Sequence, residues 1–309
     1  MQSVAICTRN RAGLLEKAVR SVLHQLGGGN ELIIVDNGST DETPALCARL
    51  ADEDGRVRIF QETKPGLSIA RNVVLREARG DWVVFLDDDA VAEPGWIGAY
   101  ERFFNDPAAV KVGGAGGSVR PLYETSAPAW LPDPPLPPDA SVAARPCTPC
   151  ESIIGCNFAI RRDVALKAGG FNPNLGHRGT VPGAYDEIDL IERFEQAGYE
   201  IWWVTGARVG HLVSAQRLSL AWQLSCAFRV GNCSAIRRLG QRNSRKVCWR
   251  FAFARLLLAP FQCAIYLLVA ASNLLLRKRR KAARSLLRAS STAGFAFELV
   301  KRLFDQGYA

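Results

Sequence analysis

The first 90 residues alternate short runs of β-forming residues with amphipathic stretches, and few folds accept that rhythm. Ser3 to Cys7, Glu31 to Val35, Val57 to Gln61 and Trp82 to Leu86 read as strands. Between them Leu14 to Leu26, a stretch ending at Leu50, and Ser68 to Ala78 read as helices. Strand–helix repetition of this kind predicts an α/β fold with a mixed, mostly parallel sheet flanked by helices. Sheets wound this way gather ligands at the carboxyl edge of their strands. Polar residues stand at those ends here: Thr8 to Arg11 after the first strand, Asp36 after the second, and Asp87-Asp88-Asp89 after the fourth.

Three adjacent carboxylates repel one another, and a bound divalent cation is the usual reason such a cluster persists, a solvated acidic turn being the alternative. Consecutive winding puts Asp36 and Asp87 to Asp89 on one rim, forming an acidic mouth beside the Thr8–Arg11 turn. That arrangement suits a nucleotide: a carboxylate accepts from a base N–H or from sugar hydroxyls, and a metal neutralises a diphosphate. Neither GxxxxGK[ST] nor GxGxxG follows the first strand, which disfavours P-loop and dinucleotide-binding folds.

The second half is less regular. Gly113 to Gly117 reads as a Gly-rich turn and Pro121 to Pro149 as a long Pro-rich loop, a length of unstructured chain that is usually functional or disordered. Strand character returns at Ser152 to Arg161. Helices are expected at Val164 to Ala168 and Asp186 to Ala197, then a short strand at Trp202 to Val204, with His211 to Val213 following a turn. The nine cysteines form no disulfide framework, and Cys147 and Cys150 lack the second pair a zinc ribbon needs. With no apolar leader before the first strand, the body is expected in the cytosol with free thiols.

Charge divides the chain. Of the 39 Lys+Arg and 30 Asp+Glu, residues 216–309 hold 18 and 2 respectively, so the tail is strongly basic and the body acidic. A basic tail can serve nucleic acid or an anionic membrane, and hydrophobicity separates the two. Leu256 to Leu276 is uncharged and mostly apolar, flanked by Arg-rich segments, and about 20 apolar residues is the length that crosses a bilayer. The expected partner is therefore anionic membrane lipid and not nucleic acid. Pro260, Gln262, Ser272 and Asn273 also suit a segment that lies in the interface or re-enters it, and a buried core helix is the remaining possibility.

Taken in order, Ile6 to Arg11, Ile33 to Asp41 (IIVDNGSTD), Gly66 to Asn72 (GLSIARN), Gly80 to Asp89 (GDWVVFLDDD), Gly155 to Arg161 (GCNFAIR), Gly169-Gly170-Phe171, Asp186 to Leu190 and His211 resemble family 2 glycosyltransferases of the GT-A fold. The resemblance runs from residue 3 to about 232. It implies an inverting transfer of one sugar from a UDP, GDP or dTDP sugar to a hydroxyl on a glycan or glycolipid acceptor, with Mg2+ or Mn2+. By position, it implies that Asp36 accepts from the nucleobase with Thr8 and Arg11 lining that pocket. It also implies that Asp89 binds the metal with His211 completing the shell, that Asp87 lies near the ribose with Asp88 beside it, and that Arg71 meets the nucleotide. Asn157 and Arg161 are expected to face the mouth, with the Pro-rich loop and residues 172–183 closing over it.

The base is where the chain departs from the family's pattern, which usually shows Glu-Asp at this helix start. Here Asp186 precedes Glu187, and aligning Leu190 and Gly198-Tyr199 with their usual counterparts puts Glu187 at the base position, Asp186 being the rival. A Gln-x-x-Arg-Trp motif of processive synthases is absent, which favours single-sugar transfer. A non-catalytic nucleotide-sugar-binding membrane protein would have lost the metal or base carboxylates; a nucleotidyltransferase would need a Gly-rich basic loop after the first strand. A glycosidase has no use for a nucleotide pocket. The expected organisation is a GT-A domain over 1–235 and a basic, helical membrane-associating region over 236–309, at the cytoplasmic face of the cell membrane.

Overall fold

A computed structural model describes residues 1–132, 143–147, 153–178, 183–240 and 245–305. The alternation leads as expected from β1 (Gln2–Thr8) through α1 (Ala12–Leu23), β2 (Glu31–Asp36), α2 (Thr43–Glu53), β3 (Val57–Gln61) and α3 (Leu67–Glu77) to β4 (Trp82–Leu86). Then come β5 (Ala90–Ala92), α4 (Trp96–Phe104), β6 (Val112–Tyr123), β7 (Ala144–Pro146), β8 (Asn157–Arg161), α5 (Arg162–Lys167), α6 (Asp186–Gln196) and β9 (Glu200–Val213). Three long helices follow: α7 (Leu220–Gly240), α8 (Arg245–Leu275) and α9 (Arg279–Asp305).

The strands form one sheet in the order β3-β2-β1-β4-β8-β6-β9-β5, with β7 paired to β9. β3, β2, β1 and β4 run parallel, while β8 enters antiparallel to β4 and begins the mixed half. Apolar residues on both faces explain the near-continuous hydrophobic runs of β1, β2 and β4. One face packs Ile6, Ile34 and Val84 against α1, α2 and α4; the other packs Ala5, Ile33 and Phe85 against α3, α5 and α6.

Two expectations fail for one physical reason. Gly113 to Gly117 is not a turn but the buried start of β6, and Glu200–Val213 is one continuous strand instead of a short strand at Trp202 to Val204 with a turn before His211. A Cβ at Gly117 would fall 2.1 Å from the Ala207 carbonyl oxygen and 2.3 Å from Asn157 Nδ2, and one at Gly116 would fall 2.9 Å from Ile153. At Gly210 it would lie 2.6 Å from the Leu122 side chain. These glycines are selected for close approach and not for backbone freedom. The Pro-rich stretch is not wholly irregular either, since β6 runs through Pro121 and β7 pairs with β9; its parts 133–142 and 148–149, like Cys150, Ser152 and residues 179–182 of the segment expected to close over the mouth, lie outside the described residues.

Contacts divide the chain into two compact units. The first comprises Met1–Leu122, Pro135–Pro173 and Asp186–Leu212, and it holds the sheet. The second comprises Tyr123–Pro134, Asn174–Tyr185 and Val213–Ala309, in which α9 packs against both α7 and α8.

Candidate active site

Parallel register builds the mouth. Thr8 and Asp36 are direct partners across β1 and β2, and β4 ends at Leu86, so Asp87 to Asp89 emerge beside them. Loops after β1 and β2 are tied together: Asn10 N donates to Ser39 Oγ (2.9 Å), and Thr40 N donates to Asn10 Oδ1 (2.7 Å). Asn10 adopts φ 53°, a left-handed conformation that Asn tolerates. Asp36 is buried, and its Oδ1 accepts from Ser39 N at 3.0 Å. Asn37 performs a task the sequence did not announce. Its amide donates to the carbonyls of Glu62 and Lys64, and its Oδ1 accepts from Gly66 N, so one side chain after β2 holds the whole loop after β3.

In the acidic turn, Asp88 accepts from Thr8 Oγ1 (2.8 Å) and Arg11 Nη1 (2.9 Å), and Arg11 Nη1 also reaches Asp89 Oδ2 (3.0 Å). Burial pushes Asp88 up to about 6 against the pull of Arg11, and Asp89 adds repulsion. Thr8, Arg11 and Asp88 thus form one hydrogen-bonded group on the floor of the mouth. Pairing of Ala90 with His211 between β5 and β9 brings His211 Nε2 to 3.1 Å from Asp89 Oδ1. A carboxylate oxygen and an imidazole nitrogen converging on one point are donors a divalent transition ion accepts. Among the described residues no group of three His, Cys, Asp or Glu side chains is assembled, so a cation here would take further ligands from water or phosphate oxygens.

Arg71 occupies an unexpected position. Its guanidinium is 2% exposed and lies under the mouth instead of opening into it. Nη1 donates to Asp186 Oδ2 at 2.7 Å, and Nη2 donates to Asp87 Oδ1 at 3.2 Å and to the Gly155 carbonyl at 2.8 Å. The rings of Phe85, Phe158 and Phe171 surround it at 5.0–5.7 Å. Burial opposes its charge, but Asp186 and Asp87 outweigh that and hold its proton more tightly than usual. Asp87 is raised by burial first, then by Asp89 and Asp186, with Arg71 pulling the other way.

The same clamp sets the two acids at the start of α6 apart. Asp186 is buried and paired with Arg71, whereas Glu187 is half-buried with its carboxylate against Gly155, where an added Cβ would meet its Oε2 at 3.3 Å. Burial, then repulsion from Asp186, pushes Glu187 up to about 8 despite Arg71. Tyr185, immediately before, takes φ 70°, a strained conformation for an aromatic residue, at the point where the chain turns into the helix.

Asn157 and Arg161 do not reach the mouth. Asn157 is fully buried on the opposite face of the sheet: its Oδ1 accepts from Trp96 Nε1 (2.8 Å) and Tyr100 Oη (3.0 Å), and its Nδ2 donates to the Ser118 (3.0 Å) and Ala207 (2.8 Å) carbonyls. With every amide position used, it has none left for a sugar or nucleotide. Strand parity explains the error, because its neighbour Phe158 is the residue that faces Arg71. Arg161 pairs with Trp82 at the far end of β4. Asn157→Leu should therefore cost about 3 kcal/mol or more of stability in urea denaturation, since four buried partners lose a bond, without raising the Km for a donor in the fraction that folds. A weaker donor Km at unchanged stability would return Asn157 to the site.

Comparison with known proteins follows the same outline. Residues 3–168 match the sequence profile described as Glycosyl transferase family 2. Glucosyl-dolichyl phosphate glucuronosyltransferase of Haloferax volcanii is 30% identical over 236 residues, covering 74% of this chain and 74% of that protein. Succinoglycan biosynthesis protein ExoM of Rhizobium meliloti is 26% identical over 260 residues, covering 81% of this chain and 79% of that protein. Among solved structures, mannosyltransferase PcManGT from Pyrobaculum calidifontis, in complex with GDP-Man and Mn2+, aligns with a TM-score of 0.64 at 19% identity, covering 99% of this chain and 87% of that one. At that identity the likeness speaks to the fold, which is GT-A.

Proposed function

Because this chain belongs to glycosyl transferase family 2, we propose that it moves a single sugar from a nucleoside-diphosphate sugar to a hydroxyl acceptor with inversion, using Glu187 as base. The observation that supports this reading is the Arg71 clamp, which ties Asp87 of the acidic turn to Asp186, the neighbour of Glu187 at the start of α6. Glu187, half-buried and raised to about 8, is a stronger base once deprotonated than an ordinary carboxylate, and takes up that role as pH rises towards 8. Its carboxylate accepts the acceptor's proton as that oxygen attacks the anomeric carbon, opposite the departing nucleoside diphosphate. Asp186 is a positioning residue, since its charge is committed to Arg71.

At the other end, Asp36 accepts from the nucleobase, with Thr8 and Arg11 along that wall and Asp87 towards the ribose. Arg11 starts on Asp88 and Asp89 and is placed to meet negative charge entering the mouth. Asp89 and His211 would hold Mg2+ or Mn2+, which supplies charge neutralisation for the leaving diphosphate. The donor is a UDP, GDP or dTDP sugar. A lipid-linked or other cell-envelope glycan as acceptor is supported by the dolichyl phosphate in a relative's name, and membrane association by the apolar helix span Phe253–Leu275; the reading puts the enzyme at the cytoplasmic face. The transfer domain occupies 1–235, and 236–309 attaches it to anionic lipid.

Thermal-shift measurements against a panel of nucleotide sugars test the donor reading. One of them with Mn2+ or Mg2+ should stabilise the protein by about 2.7 kcal/mol at a hundred times its Kd. Asp89→Ala should remove the part of the shift that depends on metal. No shift with any nucleotide sugar in the presence of metal would overturn the reading.

A further inference from the structure

Resting on the membrane reading above, we infer that α8 does not cross the bilayer but lies in the plane of its anionic surface, with its outer face embedded. The span Phe253–Leu275 is 23 residues, about 35 Å of helix, and is long enough to cross. Only 11% of an 18-residue apolar window within it is buried inside the structure, and Phe261 (70% exposed), Leu268 (71%) and Leu275 (86%) are among the residues it turns outward. By itself that pattern fits a spanning helix as well as an embedded one. The way α9 is joined to α8 separates the two.

α8 ends at Leu275 and α9 begins at Arg279, so three residues make the connection. Arg277 takes φ 55°, Lys278 N donates to the Asn273 carbonyl (2.7 Å), and Arg277 N donates to the Leu274 carbonyl (2.9 Å), a left-handed cap that stops α8 sharply. α9 therefore folds straight back along α8. Cys263 Sγ in the middle of the apolar span contacts the Ala289 carbonyl at 3.5 Å, and Arg255 near its start stacks on Phe295 at 5.9 Å. Small residues line the seam, with Ala259 and Ala270 buried on α8 and Ala282 and Ala289 buried on α9.

If α8 crossed the membrane, α9 would cross beside it. The middle of α9 carries Arg284 and Arg288, both exposed, and Arg288 is next to the residue that meets the centre of α8. Two guanidiniums would then face hydrocarbon near its midplane; among the described residues, α9's ion pair, Glu298 with Arg302, lies more than two turns away. Such burial is strongly disfavoured. Laid flat, the same unit turns the apolar face of α8 into the acyl boundary, while Arg277 to Lys281 reach the headgroups from its end. The charge of the tail selects the partner, an anionic lipid surface.

Protease sites test this in the full chain. One is introduced between Arg277 and Lys278, one is appended after Ala309 so that the hairpin is untouched, and one precedes Met1 as reference. Sealed membrane vesicles of both orientations, from cells making each variant, are treated with impermeant protease. All three sites should be cut from the same side. Cutting of the 277 site or the terminal site only from the side opposite to the reference would overturn the in-plane placement while leaving membrane attachment standing. Recovery of the unmodified chain in the soluble fraction would overturn the attachment itself. Binding of the purified protein to phosphatidylglycerol vesicles should exceed binding to phosphatidylcholine vesicles at least tenfold, and Leu268→Glu should lower it at least tenfold with unchanged circular dichroism. Equal binding to both lipids, or no effect of Leu268→Glu, would count against an embedded α8 face.

Discussion

Glu187→Gln should slow sugar transfer by about 10²–10⁴-fold while donor affinity stays within about twofold, because Gln keeps the size and hydrogen bonding of the residue but cannot take a proton. Side-chain volume against Gly155 is preserved, so the fold around Asp186 and Arg71 should not change. In the parent protein kcat/KM should rise with pH through about 8, where Glu187 is half deprotonated, and level off only above it. The variant should lose that rise.

Stability should show the opposite trend. A carboxyl whose proton is held more tightly when folded gives stability that is fully present below its unfolded value, about 4.3, and is lost as pH climbs through the folded value. Between about pH 4.3 and 8 the parent should thus lose melting temperature faster than Glu187→Gln does. A Glu187→Gln protein with normal kcat would move the base to Asp186. If Asp186→Asn were also active, a carboxylate base on α6 would be untenable.

Arg71→Met should cost about 3–5 kcal/mol of unfolding free energy, the largest stability effect expected of a single substitution at the site. The change strands Asp186, which is buried, and Asp87, and it empties the cationic position among Phe85, Phe158 and Phe171. Lys at 71 should recover only part of the loss. An ammonium is a point charge, and three acceptors on three segments, Asp87, Asp186 and Gly155, need the planar fork of Arg. The loss should shrink on acidification, because the stranded carboxylates become neutral by binding protons. Urea denaturation at pH 5 and pH 8 measures this: a penalty that is equal at both, or below about 1 kcal/mol, would mean that the clamp does not hold the two acids.

How much of this was legible in the sequence depends on where the controlling contacts lie. β1 to β4 were readable to within a residue or two, because a buried parallel strand needs apolar residues on both faces and is punctuated by its own loop residues. The rim residues followed from winding alone, so Thr8, Arg11, Asp36, Asp88 and Asp89 were predicted to share one edge, and they do. The glycines of β6 misled, since a run of Gly means freedom when read locally and here means that Asn157, Ala207 and Ile153 leave no room for a side chain. That requirement is set by β8 and β9, far away in the chain. α4 went unread although Pro94-Gly95 mark its start, and the task of its aromatic residues appears only when Trp96 and Tyr100 are seen to meet Asn157.

Arg71 was the largest surprise. An Arg on an amphipathic helix is ordinarily a surface residue, and only the fold reveals that its partners, Asp87 and Asp186, which lie 16 and 115 residues further along the chain, converge on it. The sequence also left Asp186 and Glu187 as rivals. Their difference is one of burial and partnership, which neither residue identity nor spacing encodes.

Product stereochemistry tests single displacement at this mouth most directly. Proton NMR of the freshly formed glycoside, made from an α-linked nucleoside-diphosphate sugar, should give the anomeric coupling of a β-linked product. An α-linked product would contradict attack by a hydroxyl that Glu187 deprotonates opposite the leaving group.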